Sequence, residues 1–440
     1  MITATRAAPQ GGGATACGAG LAATAAVEDR GEATAGWGTG DGILSARRDC
    51  NSMRWLTNLR LPDHRAHGQQ PERHWRVGLD AQERIASIQL LAPGSQAAGE
   101  DWGGDWLSPA GMDLQINGGL GLAFPELTAT DLPRLEELLE LFWRDGVEAI
   151  CPTLVTCEVA ALRQALTVLA AARQRHRPGR CRLLGAHLEG PFLAAARRGA
   201  HPNQHLCEPS LAALEERIGG FRGGPEADIA LVTLAPELAG SAAVIAALRA
   251  MDVLVSLGHS AASEAEAQAA FEAGVGMLTH AFNAMPDMHR RAPGPVAAAL
   301  LRRDVAVGLI ADGVHVAPTM AVLLQRLAPE QLVIVSDALA PYGLAEGQHR
   351  WDERMLTVRD GSCRLDDGTL AGVTLPLLEG VVRLARWSGQ PEQAIAAATL
   401  RPRSLMGGSA AADTALLGMA LADTLRWQGS AADLRWRRPT

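Results

Sequence analysis

The sequence predicts an α/β protein, a (β/α)8 TIM-type barrel with a small β layer ahead of it. Three observations lead there. Eight apolar, strand-like runs follow residue 109, separated by stretches of Ala, Leu, Glu and Arg that favour helix. The runs are apolar almost throughout, as parallel strands covered on both faces are. No Gly-x-Gly-x-x-Gly follows the first run, which disfavours the competing doubly wound sheet.

The elements follow in chain order. Residues 1–52, with Gly11-Gly-Gly-Ala-Thr-Ala16, read as a low-complexity, disordered tail too weakly apolar for a signal peptide. Met53 is an alternative start. Residues 53–108 hold short strands at Met53–Leu61, His74–Leu79 and Arg84–Leu91, the N-terminal part of a small β domain. Residues 109–403 form the barrel. Its strands are expected at Gly111–Asn117, Val147–Thr156, Leu183–Glu189, Ile229–Leu234, Asp252–His259, Gly276–His280, Val305–Asp312 and Leu332–Asp337. Helices are expected at Asp131–Arg144, Glu158–Arg175, Ser210–Arg217, Ser241–Met251, Ala262–Ala273, Pro295–Arg303 and Pro318–Leu327. Two more follow the eighth strand, near Leu375–Ser388 and Pro391–Leu400. Residues 404–440 are less regular and rejoin the β layer.

Composition excludes several chemistries. The forty cationic residues are all arginine, so the chain has no lysine. Schiff-base and pyridoxal-phosphate chemistry, the phosphate-binding GK[ST] loop and a carboxylated lysine bridging two metals are all impossible. A net charge of −8 argues against a nucleic-acid or membrane-surface partner. Seven cysteines without a C-x-x-C pair fit a reducing cytoplasm. No apolar run reaches the roughly 18 residues of a membrane span.

Polar residues close six of the eight strands, where barrel enzymes place their chemistry. Strand one ends Gln115-Ile-Asn117, strand three His187-Leu-Glu189, strand five Gly258-His-Ser260 and strand six Thr279-His280. Strand seven runs into Asp312-Gly-Val-His315, and strand eight ends Ser336-Asp337. Singly, each has a plain structural reading. His259 could be a hydrogen-bonded strand end, Asp337 a helix cap and Asn117 a turn residue. Together Glu189, His259 and His280 supply two imidazoles and a carboxylate. That is a shell of the catalytic zinc type, with a position left open for water. Asp337 is then the unligated carboxylate that takes a proton.

The chain resembles the N-acetylglucosamine-6-phosphate deacetylases of the amidohydrolase superfamily. The matching stretches are Pro109-Ala-Gly-Met-Asp-Leu-Gln-Ile-Asn-Gly118, Cys151-Pro-Thr-Leu-Val-Thr156, His187-Leu-Glu-Gly-Pro191, Gly199-Ala-His-Pro-Asn203, Leu234-Ala-Pro-Glu237, Gly258-His-Ser260, Thr279-His-Ala-Phe-Asn-Ala-Met-Pro286, Arg291-Ala-Pro-Gly294, Ala311-Asp-Gly-Val-His315, Ser336-Asp-Ala338 and Gly368-Thr-Leu-Ala-Gly372. They occur in family order over about 260 residues. The ends match less well: Asp80–Ile85 and Leu417–Asp423 are loose versions of the family pattern, and Val373-Thr374 stand where Ser is common.

The resemblance implies a barrel with a small β-sandwich built from both chain ends. It implies Glu189, His259 and His280 as ligands of one divalent metal ion, zinc, and Asp337 as the catalytic acid/base. His201 corresponds to a residue at the substrate carbonyl, and Ala200, Asn283, Ala284, Arg291 and His315 to substrate contacts. Arg291 and His315 suit phosphate. Leu370, Ala371 and Gly372 match a loop closing over the substrate. Gln115 and Asn117 replace the His-x-His of two-metal relatives, and amides ligate zinc poorly, so one metal is expected. The implied reaction hydrolyses the acetamide of N-acetylglucosamine 6-phosphate to glucosamine 6-phosphate and acetate, in a cytoplasmic homodimer. Two alternatives remain. One is deacetylation of another N-acetylated sugar phosphate, such as N-acetylgalactosamine 6-phosphate. The other is a non-catalytic sugar-phosphate-binding protein. The remaining histidines, 64, 67, 74, 176, 205, 289 and 349, read as solvated or structural.

Overall fold

The structure is a computed structural model that describes residues 53–63, 73–95 and 97–439. The readings of residues 1–52 and of His64 and His67 fall outside the described residues. Eight parallel strands form the barrel: β1 (Gly111–Ile116), β2 (Val147–Val155), β3 (Ala186–Glu189), β4 (Ile229–Leu234), β5 (Leu254–Leu257), β6 (Met277–Leu278), β7 (Ala306–Ile310) and β8 (Leu332–Val335). Each pairs in parallel with the next. The ring closes without a regular ladder between β8 and β1. Asp337 N donates to Gln115 O at 2.9 Å, and Asn117 N to Ala338 O at 2.7 Å. The Asp113 carboxylate adds a staple by accepting from Ser336 N at 3.2 Å.

The strands are apolar because both faces are covered. Every residue of β1, β4, β7 and β8 is buried. The helices α1 (Leu132–Arg144), α2 (Val159–Arg173), α3 (Leu211–Ile218), α4 (Ser241–Ala250), α5 (Glu264–Glu272), α6 (Gly294–Leu300), α7 (Pro318–Leu327) and α8 (Leu377–Ser388) supply the outer cover. In α1, Leu135, Leu138, Leu139 and Phe142 recur at helical spacing and all face inward. Ser263 and Glu266 form a reciprocal capping box at the start of α5, a device that contributes about 1 kcal/mol.

Described segments on both sides of the barrel in sequence feed the β layer. The strands Ile85–Leu90, Trp75–Leu79 and Arg54–Leu59 pair antiparallel, and Glu100–Asp101 adds in parallel. Thr424–Gln428 lies between Trp106–Pro109 and Arg435–Arg437. Leu56, Leu59, Val77, Leu79, Ile85 and Leu107 share a core with Leu416 and Leu421.

Two differences from the sequence reading matter for function. Several expected strands stop one or two residues early. Non-glycine residues just past their ends take left-handed backbone, His259 at φ 48°, His280 at 25° and Asp337 at 51°, which breaks the ladder. Leu370, Ala371 and Gly372, expected in a loop, instead belong to the strand Leu370–Val373. It is the last of a four-stranded antiparallel sheet with Gly347–Trp351, Arg354–Arg359 and Ser362–Leu365. A bridge between Ala338 and Val373 hangs this sheet on the end of β8.

Candidate active site

Glu189 is the last residue of β3, and His259, His280 and Asp337 each lie two residues past the end of β5, β6 and β8. Gln115 belongs to β1, and His201 to the loop after β3. All but Gln115 line one cavity of about 310 Å³ at the C-terminal mouth of the barrel. The left-handed backbone at His259, His280 and Asp337 turns those side chains inward; holding non-glycine residues there costs about 1–3 kcal/mol each. Packing of the barrel must offset that cost.

The candidate ligand atoms form a tight triangle. Glu189 Oε1 lies 3.2 Å from His259 Nε2 and 3.2 Å from His280 Nε2, and the two nitrogens are 3.1 Å apart. These are close to the edges of a tetrahedron around a metal with bonds of about 2.0–2.1 Å. His259 Nδ1 donates to Arg197 O at 2.9 Å, which leaves a lone pair on Nε2 aimed into the triangle. His280 Nδ1 is buried and has no hydrogen-bond partner. A cation fits this donor set, and the group Glu189, His201 and His259 also lies within 4.8 Å as a possible holder. Burial would raise Glu189, but in the metal-free protein, where Nε2 of His259 and His280 carries a proton toward it, those hydrogen bonds outweigh burial and hold the carboxyl well below the usual range; a cation would take the place of those protons. It is therefore ionised, as a ligand must be.

His201 stands beside the triangle, its Nε2 3.7 Å from Glu189 Oε2. Thr156 N donates to His201 Nδ1 at 3.3 Å, so the ring proton sits on Nε2 and faces the cavity. Burial, with His259 and His280 nearby, pushes this ring down to about 3 and keeps it neutral. It is a fixed N–H donor.

Asp337 sits outside the triangle. Asn117 Nδ2 donates to its Oδ1 at 2.8 Å and Gln115 Nε2 at 3.3 Å, which leaves Oδ2 as the free oxygen. Gln115 Nε2 also reaches Glu189 Oε1 at 3.0 Å. The two amides thus serve as donors that tie both carboxylates together. Burial and then the charge of Glu189 push Asp337 up to about 8.

Asn283, Ala284 and His315 line the cavity after β6 and β7, Ala200 lines it after β3, and Leu370 and Ala371 after β8. His315 Nδ1 donates to Asp312 Oδ2 at 2.7 Å, freeing Nε2. Arg291 is exposed and is not among the residues lining this cavity. Gly372 does not line it either; it packs behind Asp337, where an added Cβ would lie 2.7 Å from the Asp337 carbonyl. Arg197, Trp351 and Leu339 line the cavity and escaped the sequence reading. The alternation Leu356-Thr-Val358, after Asp352-Glu353, is the one strand signal that could have drawn attention to Trp351.

No family model matches the chain. Curated relatives do. The bovine N-acetylglucosamine-6-phosphate deacetylase is 36% identical over 317 residues, 70% of this chain and 76% of its own. The N-acetylgalactosamine-6-phosphate deacetylase of Escherichia coli O157:H7 is 34% identical over 368 residues, 83% of this chain and 89% of its own. Among solved structures, N-acetyl-D-glucosamine-6-phosphate deacetylase from Mycobacterium smegmatis superposes with a TM-score of 0.70 at 26% identity, covering 87% of this chain and 99% of the other. A variant of a Mycobacterium smegmatis deacetylase bound to N-acetyl-D-glucosamine 6-phosphate gives 0.68 at 25% identity, over 87% of this chain and 99% of that one. With the strand-end constellation in place, these likenesses show that the chain belongs to the N-acetylglucosamine-6-phosphate deacetylase family of amidohydrolases.

Proposed function

We propose that this chain hydrolyses the acetamide of N-acetylglucosamine 6-phosphate to glucosamine 6-phosphate and acetate, with one zinc ion held by Glu189, His259 and His280. The observation that carries this reading is Asp337, a buried carboxyl with one free oxygen beside the ligand triangle but outside it. A metal ion bound at the triangle would polarise the amide carbonyl and favour ionisation of the attacking water.

The chain's own groups do the rest. Asp337 Oδ2 takes the proton of the water whose oxygen bonds to the amide carbon. His201 Nε2–H donates to the oxyanion that develops on the carbonyl oxygen. Asp337 Oδ2 then passes its proton to the nitrogen as the C–N bond breaks, giving the free amine and acetate. Gln115 and Asn117 hold Asp337 in place and leave no imidazoles for a second metal.

His201→Asn should lower kcat by about 10²–10³-fold, as loss of an oxyanion donor does, with metal content retained. Steady-state kinetics with metal analysis checks this. Gly372→Ala should displace the Asp337 backbone and lower kcat about 10–100-fold with KM little changed. An unchanged kcat would remove Gly372 from the account.

Asn283, Ala284 and His315 receive the sugar phosphate, the imidazole of His315, held through Nδ1 by Asp312, facing its phosphate. Arg291, exposed on its own chain, serves the phosphate held by a second copy in a homodimer. Cytoplasmic residence belongs to the same reading, supported by the five described cysteines being free. Among the described residues, no helix is long and apolar enough to cross a membrane.

A second reading is favoured by the larger share of the chain that matches the galactosamine relative. It keeps the chemistry and changes the epimer. Comparing kcat/KM for N-acetylglucosamine 6-phosphate and N-acetylgalactosamine 6-phosphate decides between them. A ratio above one for the glucose epimer supports the first, and a ratio below one the second.

A further inference from the structure

The active-site cavity has two unlike sides. The sugar-phosphate side lies after β6 and β7, at Asn283, Ala284 and His315. After β2, β3 and β8 the lining includes one apolar cluster: Val155, Ala200, Leu339, Trp351 and Ala371. An amide carbon held at the ligand triangle, with its sugar toward β6 and β7, directs its acyl substituent at this cluster. The placement of the two substituents rests on the deacetylase reading.

Behind the cluster lies a second cavity of about 640 Å³. Its lining combines Ala123, Pro125, Cys157, Ala161 and Leu365 with a larger number of polar and charged residues, Arg198, Asp352 and Arg354 among them. Val155, Gly199 and Trp351 line both cavities. Of the three, only Trp351 has a side chain large enough to separate them.

Trp351 is held firmly for that task. It ends the strand Gly347–Trp351 and is 5% exposed. It packs with Ala123, Ala200, Leu339, Leu356 and Val358. The Arg354 guanidinium lies 4.6 Å from its ring centroid. The same guanidinium donates to Ala200 O at 2.7 Å and pairs with Asp352 at 2.5 Å. The indole is thus fixed against the loop that carries His201.

We propose that Trp351 determines acyl-group specificity: its indole closes the acyl end of the active site and excludes chains longer than acetyl from the cavity behind it. The ligand class that Trp351 excludes is the N-acylated amino-sugar phosphate with a linear acyl chain of three or four carbons. Each added methylene that a filled apolar pocket cannot take is discriminated against by about 10- to 200-fold.

The test compares N-acetyl-, N-propionyl- and N-butyryl-glucosamine 6-phosphate as substrates of the wild type, Trp351→Ala and Trp351→Phe, each metal-replete. The readout is the butyryl-to-acetyl ratio of kcat/KM. In the wild type this ratio should be about 10⁻² or lower. Trp351→Ala should raise it at least about tenfold by joining the two cavities, and Trp351→Phe should raise it by less. Circular dichroism and metal content establish that each variant is folded. If the alanine variant does not fold, the phenylalanine variant and the wild-type ratio decide. A wild type that cleaves butyryl and acetyl equally well overturns the proposal, as does a ratio unchanged in the folded variants. A wild type that cleaves none of the three refutes the deacetylase reading itself, which distinguishes the two failures.

Discussion

Asp337→Asn is expected to lower kcat by about 10²–10⁴-fold, the usual contribution of a positioned general acid/base. The substitution preserves shape and removes the atom that matters. Asn117 and Gln115 still face an oxygen if the amide places its Oδ1 where the carboxylate Oδ1 was, at 2.8 and 3.3 Å. The Oδ2 position becomes an NH2 group, which cannot accept the proton of water. The carboxylate lies outside the ligand triangle, so metal content should remain at the wild-type level. The pH profile gives a second readout. Asp337 enters the cycle ionised, so kcat/KM rises with pH through its pKa. Burial and Glu189 raise that pKa in the metal-free protein to about 8, and a cation at the triangle lowers it. The acid limb assigned to Asp337 should vanish in the asparagine variant. Near-normal turnover, or an unchanged acid limb, would remove Asp337 from the mechanism.

The second large effect is expected at the triangle. His259→Ala removes one of three ligand atoms that stand 3.1–3.2 Å apart. It also removes the imidazole whose Nδ1–H is fixed by Arg197 O. The remaining carboxylate and imidazole should bind metal too weakly to survive dialysis, and activity should fall with the metal. Lewis-acid stabilisation amounts to several kcal/mol, so a loss of about three orders of magnitude or more is expected. Metal content and activity should fall in parallel. A His259→Ala protein that keeps its metal and most of its rate would show that His280, Glu189 and His201 suffice.

Much of this arrangement was legible in the sequence, for physical reasons that differ by element. The barrel strands were readable because burial on both faces requires unbroken apolar runs, and Ile229–Leu234 and Pro318–Leu327 fall where expected. The site was readable because Glu189, His259, His280 and Asp337 interrupt those runs at one end, where a polar residue needs a partner or a function. The left-handed backbone after β5, β6 and β8 was not readable, because composition does not report strain that tertiary packing imposes. The sheet Gly347–Val373 was missed for another reason. Its first strand carries Gln348, His349 and Arg350 ahead of Trp351, and the next begins at Arg354, so the pair looks like loop. Trp351 was lost with it. Arg291 shows the opposite limit. Its chemistry suits phosphate, but its exposed position does not bring it to the cavity of its own chain.

The most direct measurement is a metal titration of acetate release from N-acetylglucosamine 6-phosphate. Protein stripped with chelator should release no acetate above background. Adding zinc should restore activity linearly to a plateau at one equivalent per chain, with one glucosamine 6-phosphate formed per acetate. A plateau at two equivalents would contradict the single-metal site. Full acetate release by the stripped protein would contradict the metal dependence, and tight sugar-phosphate binding without acetate release would contradict the reaction.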